Sequence, residues 1–233
     1  IHAAAGGVGQ AAIMLAQIAS ADIYATVGSA EKKELLITKY GLRADHIFYS
    51  RDASFGRSLR ELTGGGVDIV LNSLAGDLLR ESWECLAPFG RFIEIGKADI
   101  TKNTRLDMLP FERNLSFHSV DLTKVAAFKP RLMHQLLDKV SWLLAQGFIH
   151  SVFPLTVCPM AEIEAAFRAL QSGKAMGKTV VMPREGDQVK AVVAKTRDDI
   201  LRADATYIVI GGTGGLGRSI ARWMAQKGAR NIV

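Results

Sequence analysis

The sequence predicts an α/β fold, a doubly wound parallel sheet with helices on both faces, followed by the start of a second unit of the same kind. Three observations lead there. Short β-rich runs alternate with helical patterns from the first residue to about Leu170. Gly or Pro stands at most of the junctions between them. Two glycine clusters, at Gly7 and at Gly212, 205 positions apart, each lie between a β-rich run and an amphipathic pattern.

Taken in order, IHAA is a strand remnant, and Val8 to Ala19 has its apolar residues on one helical face. DIYATVG reads as a strand, AEKKELLITKY as a helix, HIFY as a strand and SFGRSLREL as a helix. VDIVLNS is a nearly continuous apolar run of the sort buried on both faces of a parallel sheet. A helix over GDLLRESWECL, the strand GRFIEIG, a loop to Arg113, the strand LSFHSVD and a long helix from about Pro130 to Gln146 follow. Right-handed crossovers leave few other topologies for this alternation. After Gly147 the pattern changes to a proline-bounded strand, FPLTVCPM, a helix, AEIEAAFRALQSG, and a strand, GKTVVMP. Residues 1–183 are thus one domain. Residues 184–204 are more polar and read as a linker with one weak strand at VKAVV. Residues 205–233, from the strand TYIVI through a glycine turn and a helix, begin a second domain that stops early.

Composition narrows the function classes. With 233 residues and 48% hydrophobic content the chain can bury a sizeable core. It holds no run of about 18 apolar residues and no signal-peptide pattern, so it reads as soluble, cytoplasmic and without a membrane partner. The formal charge of +6 divides into +2 over residues 1–183 (20 Lys/Arg, 18 Asp/Glu) and +4 over residues 184–233 (9 against 5). The basic residues are scattered, without a basic run or an interleaved aromatic ladder, which argues against nucleic acid. Cys85 and Cys158 have no second Cys or His at metal-ligand spacing, so they read as packed, reduced thiols, and no metal site is expected.

The glycine clusters carry the first chemistry. Gly7-Val8-Gly9-Gln10-Ala11-Ala12 fits G-x-G-x-x-G/A between a strand and a helix, where unpaired N–H groups and the helix dipole receive a pyrophosphate. Gly212, Gly214 and Gly217 fit the same pattern after TYIVI. An NAD site expects Asp or Glu about twenty residues on, to accept from the ribose 2′-hydroxyl. The sequence there is ATVGSAEKK, whose Ser29 and Lys32 or Lys33 suit a 2′-phosphate, so NADPH is favoured over NADH. The alternative is that these lysines form a solvated first turn of a helix.

Together, AAAGGVGQAAI, ATVGSAEKKELL, YSRDASF, GGGVDIVLNSLAGDLL, CLAPFGRFIEIGKADI and GKTVVMP resemble the enoyl reductase domain of polyketide and fatty acid synthases, a branch of the medium-chain dehydrogenase/reductase superfamily. The resemblance covers about residues 1–183. The tail, GGTGGLGRSIARWMAQKGARNIV, is similar to the first βα unit of the ketoreductase domain that follows in such enzymes. FERN, GKADI and the immediate succession of the two domains look most like a fungal highly reducing polyketide synthase.

The resemblance implies a Rossmann sheet lacking most of the substrate-side domain that precedes it in the family, with a truncated second Rossmann unit. It implies that Gly6, Gly7, Val8 and Gly9 hold the pyrophosphate of NADPH, and that Lys32 and Ser29 bind the 2′-phosphate with Ser50 and Arg51 nearby. Asn72, Leu74, Ile95 and Gly96 would line the nicotinamide-ribose side of the groove. Lys97 and Asp121 match a pair of candidate proton donors. Both follow the ends of expected parallel strands, where doubly wound folds gather ligands, and a lysine desolvated in a cleft can have its pKa lowered. The implied reaction transfers hydride from NADPH to the β-carbon of an α,β-unsaturated acyl thioester, and a proton reaches the α-carbon from Lys97, water or a tyrosine elsewhere. The implied partners are an acyl chain on an acyl carrier protein, the other synthase domains and a second copy in a homodimer. On this reading the chain is an internal piece of a longer protein, inactive by itself. A stand-alone quinone or alkenal reductase, and a non-catalytic NADPH-binding scaffold, remain as alternatives.

Overall fold

The first four residues lie in the middle of a parallel sheet. The His2 N–H donates to Leu71 O at 3.1 Å, the Ala4 N–H to Thr26 O at 3.1 Å, and the Thr26 N–H to Ile1 O at 3.0 Å. The computed structural model describes residues 1–191 and 201–233, in two units, Ile1–Gln188 and Val189–Val233.

In the first unit the chain runs through α1 (Gly7–Ile18), β1 (Ala25–Val27), α2 (Ala30–Tyr40), β2 (Ile47–Tyr49), α3 (Ser54–Thr63), β3 (Val67–Asn72), α4 (Asp77–Glu84), β4 (Leu86–Glu94), α5 (Ala98–Thr101), β5 (Ser116–Ser119), α6 (Leu122–Phe128) and α7 (Pro130–Ala145). β1 pairs with β2, and β3, β4 and β5 form a second ladder, all parallel. Ile1–Ala4 bridges the two ladders and gives the order β2, β1, Ile1–Ala4, β3, β4, β5, the doubly wound arrangement that reverses at its first strand. The segment is too irregular to be a strand, because Ala3 sits at φ 48°. β6 (Leu155–Pro159), α8 (Ile163–Gln171) and β7 (Lys178–Met182) complete the unit, with β6 and β7 parallel. The Gly177 N–H donates to Ala5 O at 3.0 Å and ties them to the glycine turn.

The second unit contains β8 (Thr206–Tyr207), α9 (Gly215–Gln226) and β9 (Asn231–Ile232), with β8 and β9 parallel. Of the weak strand expected at VKAVV, Val189 to Ala191 form none, and Val192 and Val193 lie outside the described residues. No helix among the described residues is long and apolar enough to cross a membrane.

Three expectations are corrected. The run over β3 is not buried on both faces: Val70 and Asn72 are buried, whereas Ile69 is 51% exposed beside a groove of about 740 Å³. The loop before Arg113 carries the single turn α5 and a 3₁₀ turn at Leu109–Arg113. A further helix, α6, precedes Pro130, started by Asp121, whose carboxylate accepts the Thr123 N–H at 2.9 Å.

Buried polar side chains fix how the pieces meet. Gln10 of α1 is fully buried with all its valences filled. Its Nε2 donates to Ala5 O at 2.7 Å and Phe153 O at 2.6 Å, and its Oε1 accepts from the Tyr40 hydroxyl at 2.6 Å and the Phe153 N–H at 2.8 Å. His2 is buried between Thr26 Oγ1 and Ser82 Oγ, each at 2.8 Å. Because the Ser82 hydroxyl donates to Leu78 O at 2.6 Å, it accepts from His2 Nε2–H, and Nδ1 accepts from Thr26. Burial lowers the His2 pKa to about 3.

A folded-state pKa below the unfolded value near 6.5 means that the unfolded chain takes up the proton first. The neutral His2 therefore contributes stability that is present above about pH 6.5 and is lost as pH falls toward 3. Urea unfolding measured from pH 7 to pH 4 should show a loss approaching about 1.4 kcal/mol per pH unit relative to a His2→Gln variant. Parallel pH profiles for the two proteins would contradict this assignment.

Candidate functional site

The site lies along the C-terminal edge of the sheet, on both sides of Ile1–Ala4. Above that segment the chain turns into α1 with Gly6 as its N-cap, at φ −77° and ψ 167°, and no side chain caps it. The first intrahelical bond is from the Gln10 N–H to Gly6 O at 2.9 Å. The N–H groups of Gly7, Val8 and Gly9 have no acceptor among the described residues, and Val8 is 63% exposed. Three unpartnered donors at one helix N-terminus are an arrangement that suits an anion.

The structure moves the frame of the glycine motif. A Cβ on Gly9 would lie 2.5 Å from Ala4 Cα and 2.6 Å from Ala3 O, so Gly9 is the position that must be small for helix and first strand to pack. The motif therefore runs Ala4-x-Gly6-x-x-Gly9, with Gly9 rather than Ala12 at its third glycine position. The second turn repeats this geometry. Gly214 caps α9 at φ −72° and ψ 168°, and a Cβ on Gly217 would collide with Gly211 O and approach Gly212 Cα to 2.6 Å. The matching pairs are Gly6 with Gly214 and Gly9 with Gly217, while Gly212 corresponds to Ala4.

On one side of the turn, donors gather at the ends of β1 and β2. Ser29 caps α2 by accepting the Lys32 N–H, and Lys32 Nζ donates to Gly173 O at 2.7 Å, which leaves two of its hydrogens for a ligand. Arg51 Nε donates to Gly28 O at 3.0 Å, and Ser50 is bonded to Val27 O. Lys33 turns away, with Nζ on Ile47 O at 2.9 Å, so of the two candidate lysines Lys32 joins the cluster. Glu31 is the local acid, and its bond with the Ser29 hydroxyl, more than any other contact, lowers its pKa.

On the other side, Lys97 and Asp121 follow the ends of β4 and β5 by three and two residues. Lys97 Nζ lies 2.7 Å from Asp121 Oδ2, and the Lys97 side chain is 60% exposed, so the ammonium is not desolvated as expected. Asp121 also accepts from Thr123 Oγ1 at 2.7 Å. The bond from Lys97, and after it that from Thr123, holds the Asp121 carboxyl well below the usual carboxylate range. Asp121 is therefore a fixed anion.

The loops after β3 and β4 enclose a cavity of about 460 Å³ lined by Leu74, Glu94, Gly96, Lys97, Asp99 and Phe117. Asn72 does not face it openly. Asn72 is fully buried, its Nδ2 donating to Leu74 O at 2.8 Å and Glu94 Oε2 at 2.5 Å, and its Oδ1 accepting the Leu74 N–H at 3.2 Å. Ile95 extends the β3–β4 ladder by donating its N–H to Asn72 O at 3.0 Å. Two acids here escaped the sequence reading. Glu94, 2% exposed, accepts from Asn72 and from the Gly96 N–H, and burial raises its pKa. Its signal was available, since a lone acid two positions after Phe92 shares that buried residue's face of the strand. Asp99 accepts the Gly76 N–H at 2.9 Å and the Thr104 hydroxyl at 2.8 Å, joining the two loops, and nothing local in the sequence announced that reach.

Comparisons with known proteins agree with this geometry. Residues 42–181 match the family model described as zinc-binding dehydrogenase, and residues 205–233 match the KR domain. The whole chain is 63% identical to Highly-reducing polyketide synthase 1 of Aureobasidium melanogenum and 51% identical to a highly reducing polyketide synthase of Emericella nidulans. It spans about a tenth of the length of these relatives, 11% and 9%. Among solved structures it is similar to CurK enoyl reductase, at 40% identity and TM-score 0.68 over 78% of this chain and 53% of that one. It is also similar to the nucleotide-binding subdomain of the enoylreductase domain of PpsC from Mycobacterium tuberculosis, at 39% identity and TM-score 0.59 over 64% of this chain and 83% of that one.

Gly9→Ala should force α1 off the first strand and cost about 1–3 kcal/mol, outweighing the roughly 1 kcal/mol alanine gains over glycine inside a helix. Gly7→Ala meets Gly177 O at 3.3 Å and the Lys178 side chain at 4.0 Å and should shift stability by less than about 1 kcal/mol. Denaturant unfolding of both variants checks the contrast. Equal losses would return the packing role to another position.

Proposed function

The chain belongs to the zinc-binding dehydrogenase family, within it to the enoyl reductase domains of polyketide synthases, and on that premise we propose that it reduces the double bond of an α,β-unsaturated acyl thioester with NADPH. The observation that carries the reading is the Lys97–Asp121 pair, set at the ends of neighbouring parallel strands on the same sheet edge as the uncapped glycine turn. The family's name implies a metal, but no three His, Cys, Asp or Glu side chains come together to hold one among the described residues, and both cysteines are buried. No step is assigned to zinc.

The residues present fit a dinucleotide. The free N–H groups of Gly7, Val8 and Gly9 would hold the pyrophosphate behind Gly6, and Ser29, Lys32, Ser50 and Arg51 the 2′-phosphate. Leu74, Ile95 and Gly96 form the wall on the redox side, with Asn72 acting through its grip on Leu74. Reduced nicotinamide, when bound, supplies the hydride for the β-carbon. Lys97 then gives a proton to the α-carbon, so the carbon–carbon double bond becomes single and no charge is left on the thioester. Asp121, held ionised, cannot be that donor; it orients the ammonium. The acyl chain arrives on a carrier protein, and the other synthase domains and a second copy are the partners. In the second unit Gly212, Gly214 and Gly217 form the matching turn of a ketoreductase.

In the full-length protein, Lys97→Met should lower kcat for NADPH-dependent reduction of a crotonyl thioester about 100-fold or more, with NADPH affinity unchanged. Lys32→Ala should weaken NADPH by roughly 10- to 100-fold, about 1.5–3 kcal/mol, and leave NADH binding as it was. Cofactor consumption and fluorescence titration measure these. NADPH binding without any enoyl reduction would favour a scaffold role instead.

A further inference from the structure

Glu94 touches both segments carrying the proton-handling pair. Its backbone carbonyl accepts the Val120 N–H at 2.9 Å, one residue before Asp121. Its carboxylate accepts the Gly96 N–H, one residue before Lys97. The other carboxylate oxygen takes Asn72 Nδ2, and the strand register sets Asn72, Glu94 and Ser119 side by side across β3, β4 and β5. The turn is built around this side chain, because a Cβ on Gly96 would come within 2.7 Å of Glu94 Oε1.

We propose that Glu94 is a positioning residue that sets Lys97 against Asp121 by holding the turn at Gly96 and the end of β5 to one point; this rests on the function assigned above. Two donors converge on Glu94 from opposite loops, the Gly96 amide and the Asn72 carboxamide. A carboxylate is the side chain that presents an acceptor at both ends. Glutamine has the same shape but aims an NH₂ group at one of those donors. A donor facing a donor pushes the loops apart, and Lys97 moves with the turn. Burial works against an ionised carboxyl at this position, and the two hydrogen bonds offset that cost. An acid kept here at such a cost is explained by what it holds.

The test compares Glu94→Gln, Glu94→Asp and Asp121→Asn in the full-length protein. Aspartate keeps an acceptor for each donor on a side chain one methylene shorter, whereas glutamine reverses one of the two contacts. Three readouts are taken: kcat and KM for crotonyl thioester reduction, NADPH affinity, and the rate at which an amine-selective acylating reagent labels Lys97, followed by mass spectrometry of its peptide. Glu94→Gln should lower kcat roughly tenfold or more, leave KM and NADPH affinity within about twofold, and raise Lys97 labelling toward the Asp121→Asn rate. Glu94→Asp should lose less kcat and label more slowly than Glu94→Gln. If Glu94→Gln labels Lys97 at the wild-type rate, or if Glu94→Asp labels it as fast as Glu94→Gln while both remain folded by thermal unfolding, the proposal is overturned. Should the wild-type protein reduce no enoyl thioester, the assigned function fails, and the labelling arm still decides whether Glu94 places Lys97.

Discussion

The first unit depends on three backbone hydrogen bonds, those that hold Ile1–Ala4 between β1 and β3. Among the described residues the ladders on either side meet through this segment. The order of strands reverses there, so the connections leaving its two neighbours go to opposite faces and their loops part at the C-terminal edge. Everything chemical sits in that parting. α1 begins directly above it, the Ser29, Lys32 and Arg51 donors stand on one side, and Leu74, Gly96, Lys97 and Asp121 stand on the other. One constraint on the middle of the sheet thereby separates the proposed phosphate end from the proposed redox end.

Apolar burial alone would not hold that separation to a fraction of an ångström. The cores around Ile13 and Leu36, and around Trp83 and Phe92, supply the non-directional attraction that closes the sheet. Direction comes from buried polar groups whose every valence is matched, because a shift of one residue would leave donors unpaired in a dry interior. Gln10 does this for the phosphate end, joining the first strand, the end of α2 and the segment at Phe153. Glu94 and Asn72 do it for the redox end. The two knots are alike in form. Each sits one turn or one loop away from an exposed group proposed to handle a ligand, which is where mobility would have to be removed.

Much of this was legible in the sequence, and the limits follow from what sequence patterns encode. The alternation of periods gave the order of elements, and the strand–glycine–helix context placed both turns. The missing acid after β1 pointed to Lys32 or Lys33, and only the direction of each side chain separates them, Lys32 toward Gly173 and Lys33 toward Ile47. The pairing of Lys97 with Asp121 came from the resemblance, and their common place after strand ends made it physically sensible without singling them out. The burial of β3 was misjudged because an apolar run does not say whether a helix covers its second face, and near Ile69 none does. α6 was missed because its seven residues are too short for a clear period, and its start is signalled by the Asp121 cap alone. Asn72 was placed in the groove by the resemblance alone, yet here Glu94, a cross-strand neighbour invisible to local pattern, takes its amide inward.

The two glycine turns show which part of the motif is dictated by sterics and which is free to vary. In both, the residue three before the N-cap has a positive φ, 48° at Ala3 and 77° at Gly211, and its carbonyl accepts the N-cap N–H at 3.0 Å. Ala3 occupies that left-handed well at a cost of about 1 kcal/mol, which glycine at 211 avoids. Such a strain is local and small, so the sequence can drift there. The position three after the N-cap cannot, because its Cβ would enter the backbone of the preceding strand end, at Ala4 in one turn and at Gly211–Gly212 in the other. Relief would require moving a whole helix and with it the N–H groups that face the crevice. Gly9 and Gly217 are therefore fixed by packing rather than by an anion, and the proposed anion site is a consequence of how closely the helix must approach the sheet.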